Sequence, residues 1–384
     1  MPLSSMTMHE MMMRVGRFPA LVVVLAACLP VQTGVRRQVS SPVCLPGVRG
    51  LGACVGSCAA AASAETGAKK KAVVLRLGSV APAASTWGRL ALEYEKDIEK
   101  TAKGRLEIEL RLGGVLGTES EMLQMVLDGE LEGAAVTSSA IAKLLPEMQI
   151  LELPFLFEDT EEARYLIDRV IAPRLVRRLA EKDIFGTAIF ENGFRCFVAG
   201  RHIRSPEDLK GLKFASEESD VHAAFWRSLG AKPVPMPVAD VPAAFGKGSV
   251  GGADNSILGI LAFNLHTKKK YITVSNHIFQ AAMIVINNGW WESLPQDLQL
   301  MMLKQNTRLA EGMREATIKA ADDAANALEK SGVRFHTLTA KEKEAFIAKT
   351  NAVYGEFESV VGKRLLEDVL KARAEYRARN TRGQ

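Results

Sequence analysis

From Val73 the chain alternates between two residue periods, and this restricts the fold more than any other feature. "VVLRLGSVAP" (73–82) reads as a strand ending in a Gly/Pro turn. "TWGRLALEYEKDIEKTAKG" (86–104) spaces Trp87, Leu90, Tyr94 and Ile98 as one helix face, stopped by Gly104. "RLEIELRLGG" (105–114) alternates apolar and charged residues as a half-buried strand does. "TESEMLQMVLDGEL" (118–131) opens on Thr118 and Glu121, a capping box, and "EGAAVTS" (132–138) is a short strand. Strand, helix, strand, helix, strand argues for an α/β unit with a largely parallel sheet.

The pattern continues. A helix is expected over 160–183. "IFGTAIFENGFRCFVAG" (184–200) contains two strand-like runs around Asn192-Gly193. "SPEDLKG" (205–211) is a short helical turn capped by Ser205 with Pro206 at its first position. Strands are expected at "LKFAS", "SVGGADNS" and "AAMIVI", a helix at "SDVHAAFWRSLGA", and two long helices at about 294–331 and 339–379. Two α/β units joined near Asn192 and near Phe279 give the layout of a hinged, two-lobed protein with long helices spanning both lobes. The expected division is 72–192 plus 281–320 for lobe I and 193–280 plus 321–379 for lobe II. A ligand would lie in the cleft, where closure desolvates it.

Residues 1–71 read as an export signal and tether. Arg14 and Arg17 precede "FPALVVVLAAC", a charged-then-apolar layout too short to span a bilayer. "LAAC" resembles a lipoprotein cleavage box, making Cys28 the lipidation candidate; the competing cut lies near Ala64. This leader holds eight basic and two acidic residues, which leaves 41 basic and 42 acidic ones for the rest, a net of −1. The formal +5 of the whole chain therefore does not give the body a basic field for nucleic acid. Four of the five cysteines also lie in the leader, and Cys196 reads as a small buried hydrophobe. No metal or cofactor is expected, since no His or Cys spacing suits a metal. The sequence lacks G-x-S-x-G, a phosphate-binding loop, a dinucleotide fingerprint and H-E-x-x-H, so no enzyme motif is present.

Arg195 is the conspicuous charge. It sits inside "GFRCFV" (193–198), a run that reads as a buried strand. A buried guanidinium needs a partner, so either an internal carboxylate or an external anion must meet it.

Six segments carry a resemblance. "LGSVAPAASTWGRLALEYEKDIEKTAKGRLEIEL", "GVLGTESEMLQMVLDGELEGAAV", "LELPFLF", "NGFRCFVAGRHIRSPEDLKGLKF", "LGAKPVPMPVADVPAAF" and "TVSNHIF" occur in that order across about residues 73–365. The chain resembles the DctP-type solute-binding proteins of TRAP transporters. The resemblance implies an exported, two-lobed, non-enzymatic binder that hands a small organic anion to a membrane permease. It also implies that Arg195, in the "NGxR" strand, meets the ligand carboxylate. A second arginine expected in "GLKxR" is replaced by Ala215 in "GLKFA". Asn255 is retained in "GGADN", and Val238 stands where an aromatic follows "PMP". Glu119 and Glu121 occupy a region of polar ligand contacts, and Trp87 lies in a turn facing the cleft.

Losing one arm of a bidentate clamp weakens carboxylate recognition. Ala215 and Val238 together imply a wider, more apolar pocket. The expected ligand is a monocarboxylate with a bulky apolar body, held by Arg195 and Asn255, or a neutral apolar molecule with Arg195 paired internally. The alternative is a lipid-anchored carrier or sensor of a hydrophobic ligand, working with a partner lipoprotein. A third reading is an enzyme using Glu119, Glu121 and Arg195. His222 and His277 are expected on a helix surface and in a turn.

Overall fold

The computed structural model describes residues 71–381. Cys28 and the export signal lie outside them. In chain order the first unit is β1 (Val73–Ser79), α1 (Thr86–Ala102), β2 (Leu106–Arg111), α2 (Glu119–Leu127) and β3 (Gly133–Thr137). As expected from the alternation, β1 pairs in parallel with both β2 and β3. The capping box forms: the Thr118 Oγ1 accepts from the Glu121 amide at 3.2 Å, and Glu121 accepts from the Thr118 amide at 2.7 Å. These bonds hold the Glu121 carboxyl below its ordinary pKa.

After α3 (Ser138–Ile141), a 3₁₀ segment (Pro146–Glu152), α4 (Thr160–Leu166) and α5 (Ala172–Ala180) comes β4 (Ile184–Ala199). β4 is one strand of sixteen residues, not two runs about a turn. At about 3.3 Å per residue it reaches ~50 Å, enough to cross both lobes. Asn192-Gly193 forms a bulge within it: the register against the next strand shifts between Glu191 and Gly193, and Gly193 takes φ +92°. A turn-forming dipeptide thus bends a continuous strand where the sheet passes between lobes.

The second unit contains β5 (Lys213–Ser216), α6 (Asp220–Ser228), β6 (Lys232–Pro235), α7 (Val241–Gly246), β7 (Gly252–Ser256), α8 (Ile257–Ala262) and β8 (Tyr271–Val274). β9 (Phe279–Asn287) returns to the first lobe, followed by α9 (Asn288–Ser293), α10 (Gln296–Lys330) and β10 (Arg334–Thr337). The strand order is β2-β1-β3-β9-β4-β7-β5-β6, with β8 joining β4 and β10 joining β8. β9 runs antiparallel to β3 and β4, so the sheet is mixed.

Helix α10 ties the lobes together. Near its start the Tyr94 hydroxyl of α1 donates to Asn306 at 2.6 Å, while Leu328 near its end packs with Ile260, Leu265 and Ile272 of the second lobe. The expected C-terminal helix is two helices, α11 (Ala340–Val361) and α12 (Lys363–Thr381), broken at Gly362, whose φ is +87°. Phe346 packs among second-lobe aromatics, Phe197, Phe214 and Trp226, whereas Val353, Phe357, Val361 and Leu366 join a cluster with Leu151, Leu166 and Leu175. The C-terminal segment therefore crosses back to lobe I, and the proposed assignment of 321–379 to lobe II suits only its first part.

Candidate functional site

A cavity of about 500 Å³ lies between the lobes. Its apolar wall includes Trp87 and Tyr94 from α1, Phe190 from β4, Met236 and Val238 from the turn after β6, and Met313 from α10. Its polar groups include Glu119, Thr137 and Lys143 from lobe I, and Glu217, Glu218, Asn255 and Gln280 from the second lobe and β9. Of the residues singled out in the sequence, Trp87, Glu119, Val238 and Asn255 stand on this wall.

Arg195 and Ala215 do not. Ala215 is buried in an apolar cluster with Cys196, Val198 and Val250, so the missing guanidinium leaves packed protein there, not added cavity. Arg195 is 2% exposed and saturated by the protein itself. Its Nε donates to Asp254 Oδ2, its Nη1 to Glu217 Oε1 at 2.8 Å and Gln280 Oε1 at 2.6 Å, and its Nη2 to the Asp254 carbonyl at 2.7 Å. The expectation that Arg195 waits for an external anion is corrected: of the two possibilities for a buried guanidinium, the internal ion pair is the one formed.

Strand register explains the capture. Arg195 lies opposite Ser256 on β7, which puts Asp254 at the diagonal position on the same face. Gly193 lies opposite Gln280 on β9, the corresponding diagonal on the other side. Glu217 follows Ala215 by two residues at the end of β5, the strand period that places both on one face. Glu217 was the residue missed in the sequence, and that i,i+2 spacing was its signal.

The Arg195 guanidinium draws the Asp254 carboxyl far below the carboxylate range, against a burial effect that alone would raise it. Asp254 Oδ2 also meets His277 Nε2 at 3.2 Å, and His277 Nδ1 meets the Ser275 hydroxyl at 2.7 Å. A neutral imidazole satisfies both contacts, and burial lowers the His277 pKa. This Ser–His–Asp line resembles a hydrolytic relay, yet Ser275 and His277 are buried away from the cavity wall and Asp254 is held by Arg195. His222, too, is buried, and burial pushes its pKa down to about 3. His222 was expected on a helix surface and is instead buried, and His277, expected in a turn, is buried as well.

Glu119 contrasts with this. It accepts from the Thr137 amide at 3.3 Å and from the Thr137 hydroxyl, with no basic partner among the described residues. Burial, followed by the charge of Glu217, raises its pKa to about 7. Asn255, 6% exposed, accepts from the Ser256 amide through Oδ1 at 2.8 Å, while its Nδ2 donates to nothing among the described residues. Across the cleft Lys143 Nζ reaches Glu218 Oε2 at 2.9 Å. Among the described residues there is no cluster able to hold a metal ion and no helix long and apolar enough to cross a membrane.

Two lobes sharing continuous strands around a cavity of this size are the layout of a solute-binding protein. The profile of the family described as bacterial extracellular solute-binding protein, family 7 (DctP), matches residues 77–360, and the chain belongs to that family. It is 27% identical over 333 residues to the C4-dicarboxylate-binding periplasmic protein DctP of Rhodobacter capsulatus, covering 85% of this chain and 98% of that one. It is 29% identical to a solute-binding protein of Verminephrobacter eiseniae, over 73% and 83% of the two chains. Among solved structures, the sugar-acid-binding protein of Advenella mimigardefordensis in complex with galactonate matches with a TM-score of 0.77 at 25% identity, over 79% of this chain and 99% of that one. A TRAP periplasmic solute-binding protein of Xanthobacter autotrophicus with bound galacturonate matches with a TM-score of 0.74 at 25% identity, over 78% and 99%.

Proposed function

We propose that the chain is the extracytoplasmic solute-binding component of a TRAP transporter, which encloses an organic solute between its lobes and delivers it to membrane permease subunits without altering it. The observation that carries this is the cavity between the lobes on a family 7 scaffold, with its apolar wall and separate polar patch. Trp87, Glu119, Val238 and Asn255 are its proposed contacts. Arg195 acts as a frame that fixes β4, β7 and Gln280 behind the wall. The similar proteins that bind galactonate and galacturonate support a small organic solute. A dicarboxylate is disfavoured here, because Arg195 is spent on Asp254 and Glu217 and Ala215 supplies no second guanidinium. A bulky, largely apolar body suits the wall better. The alternative of a lipid-anchored carrier draws no support from these relatives.

Native mass spectrometry of protein purified without refolding tests this reading. A small organic molecule should leave with the folded protein and be recovered unchanged after prolonged incubation. Progressive conversion of that molecule would overturn the carrier role in favour of catalysis.

A further inference from the structure

Glu119 is an acid on the cavity wall whose carboxyl the protein uses on one side only. It opens α2, and both of its hydrogen bonds come from Thr137 at the end of β3, one from the amide at 3.3 Å and one from the hydroxyl. Both bonds end on Oε2, so Oε1 has no partner among the described residues. Burial first, and then the charges of Glu217 at the end of β5 and Glu152 in the 3₁₀ segment, raise its pKa to about 7 against the lowering effect of the Thr137 bonds. The other charged groups of the wall offer it no counter-charge. Glu121 on its own helix is engaged with Thr118, Asp240 after β6 is a further acid, and Lys143 and Glu218 are exposed and paired with each other. A protonated carboxyl is a donor as well as an acceptor, so near neutral pH this wall can present an O–H to a guest.

Resting on the solute-binding role proposed above, we infer that Glu119 meets an organic acid in its protonated form, its Oε1–H donating to a carboxylate oxygen of the solute. Thr137 fixes Oε2 as the acceptor, which assigns the proton to Oε1. The two carboxyl groups then share one proton, because like charges at hydrogen-bond distance oppose each other's ionisation. The bond is charge-assisted and so stronger than one between neutral groups. It gives the acid a donor at a cavity where Arg195 is spent on Asp254 and Glu217. Capture is thereby coupled to a proton: above pH 7 each acid bound takes up one proton from solvent, and its release returns that proton.

Three monocarboxylates with different bodies, phenylacetate, hexanoate and gluconate, serve as probes in calorimetric titrations from pH 6 to 8, where each is ionised. The probe that binds best at pH 6 should bind about tenfold more weakly at pH 8, because only the protonated fraction of Glu119 receives it. At pH 8, titrations in phosphate and in Tris, buffers of very different ionisation heat, should differ by the uptake of close to one proton. That comparison needs no variant. Glu119→Gln keeps an acceptor for Thr137 and places a permanent N–H where the O–H stood. Its affinity should stay level from pH 6 to 8, with no buffer-dependent heat. Level affinity without proton uptake in the unmodified protein, a pH dependence that survives in Glu119→Gln, or binding of none of the three probes at pH 6 would each overturn the inference. The carrier role is judged separately, by whether a co-purified solute is recovered unchanged.

Discussion

Glu217 on the second-lobe wall shares its charge with Arg195 at 2.8 Å, whereas Glu119 on the first-lobe wall faces only the hydroxyl and amide of Thr137. The two carboxylates border one cavity and belong to different kinds of structure. Behind the second-lobe wall lies a closed circuit of Arg195, Asp254, Gln280, His277 and Ser275, to which β4, β7 and β9 each contribute a partner. The first-lobe wall holds an acid with an unfilled demand. Internal charge compensation thus resides on one side and its absence on the other. A guanidinium held by three partners frames a site, while a carboxyl met only by Thr137 among the described residues keeps acceptor capacity for a ligand.

The largest expected effect tests the closed circuit. Arg195→Met leaves Asp254 buried with no guanidinium, and breaking a buried pair in this way costs about 3–5 kcal/mol. The urea midpoint should fall accordingly, with or without ligand. Asp254→Asn in the Arg195→Met background should recover part of the loss, because the stranded charge is gone. A single variant with normal stability and abolished ligand binding would break the comparison, returning Arg195 to the recognition role expected from its position in "NGFR".

That position shows how far the sequence can be read. The alternation over 73–138 foretold the parallel β2-β1-β3 unit, and Thr118 with Glu121 foretold the capping box, since both are local signals. The Asn192-Gly193 pair looks like a boundary between strands because a bulge and a turn use the same residues, and only the partner strand decides between them. Gly362 was a visible helix stop inside a run otherwise regular enough to read as one helix. Trp87, Glu119, Val238 and Asn255 were singled out through the family resemblance, and they line the cavity between the lobes. The capture of Arg195 was hidden, because Asp254 and Gln280 become its neighbours only through the registers of β7 and β9. His277 misled for the same reason: nothing local announces that a histidine near turn residues is stacked on aromatic rings such as Phe225 and Phe197.

A middle-sized effect sharpens the other half of the comparison. The Glu119 carboxyl titrates near 7 in the folded protein against 4.5 when unperturbed. Because the folded value is the higher one, the folded state holds the proton more tightly. Its contribution to stability is full below about 4.5 and is lost as pH rises toward 7. Glu119→Gln should therefore stabilise the ligand-free protein at pH 8 by on the order of 1–3 kcal/mol and change little at pH 4. Glu217 and Glu152, whose charges act on Glu119, remain in the variant, so some pH dependence persists. A variant with unaltered pH dependence would show that Glu119 is no less compensated than Glu217.

The smallest expected effect concerns the link between the walls. Lys143 and Glu218 join the lobes at 2.9 Å, but their side chains are 44% and 43% exposed. Exposed pairs contribute about 0–1 kcal/mol and weaken with salt. Lys143→Ala should leave the thermal midpoint within about a degree or two of the parent. If the pair helps hold the lobes together over a bound solute, release followed by stopped flow should quicken by only a few-fold, and 0.5 M salt should give the parent protein the same rate. Affinity for the solute should change by only a few-fold, because an exposed pair of this kind contributes little. A variant whose affinity collapses would make Lys143 a ligand contact, and the contrast between an internally paired wall and an unpaired one would have to be redrawn around it.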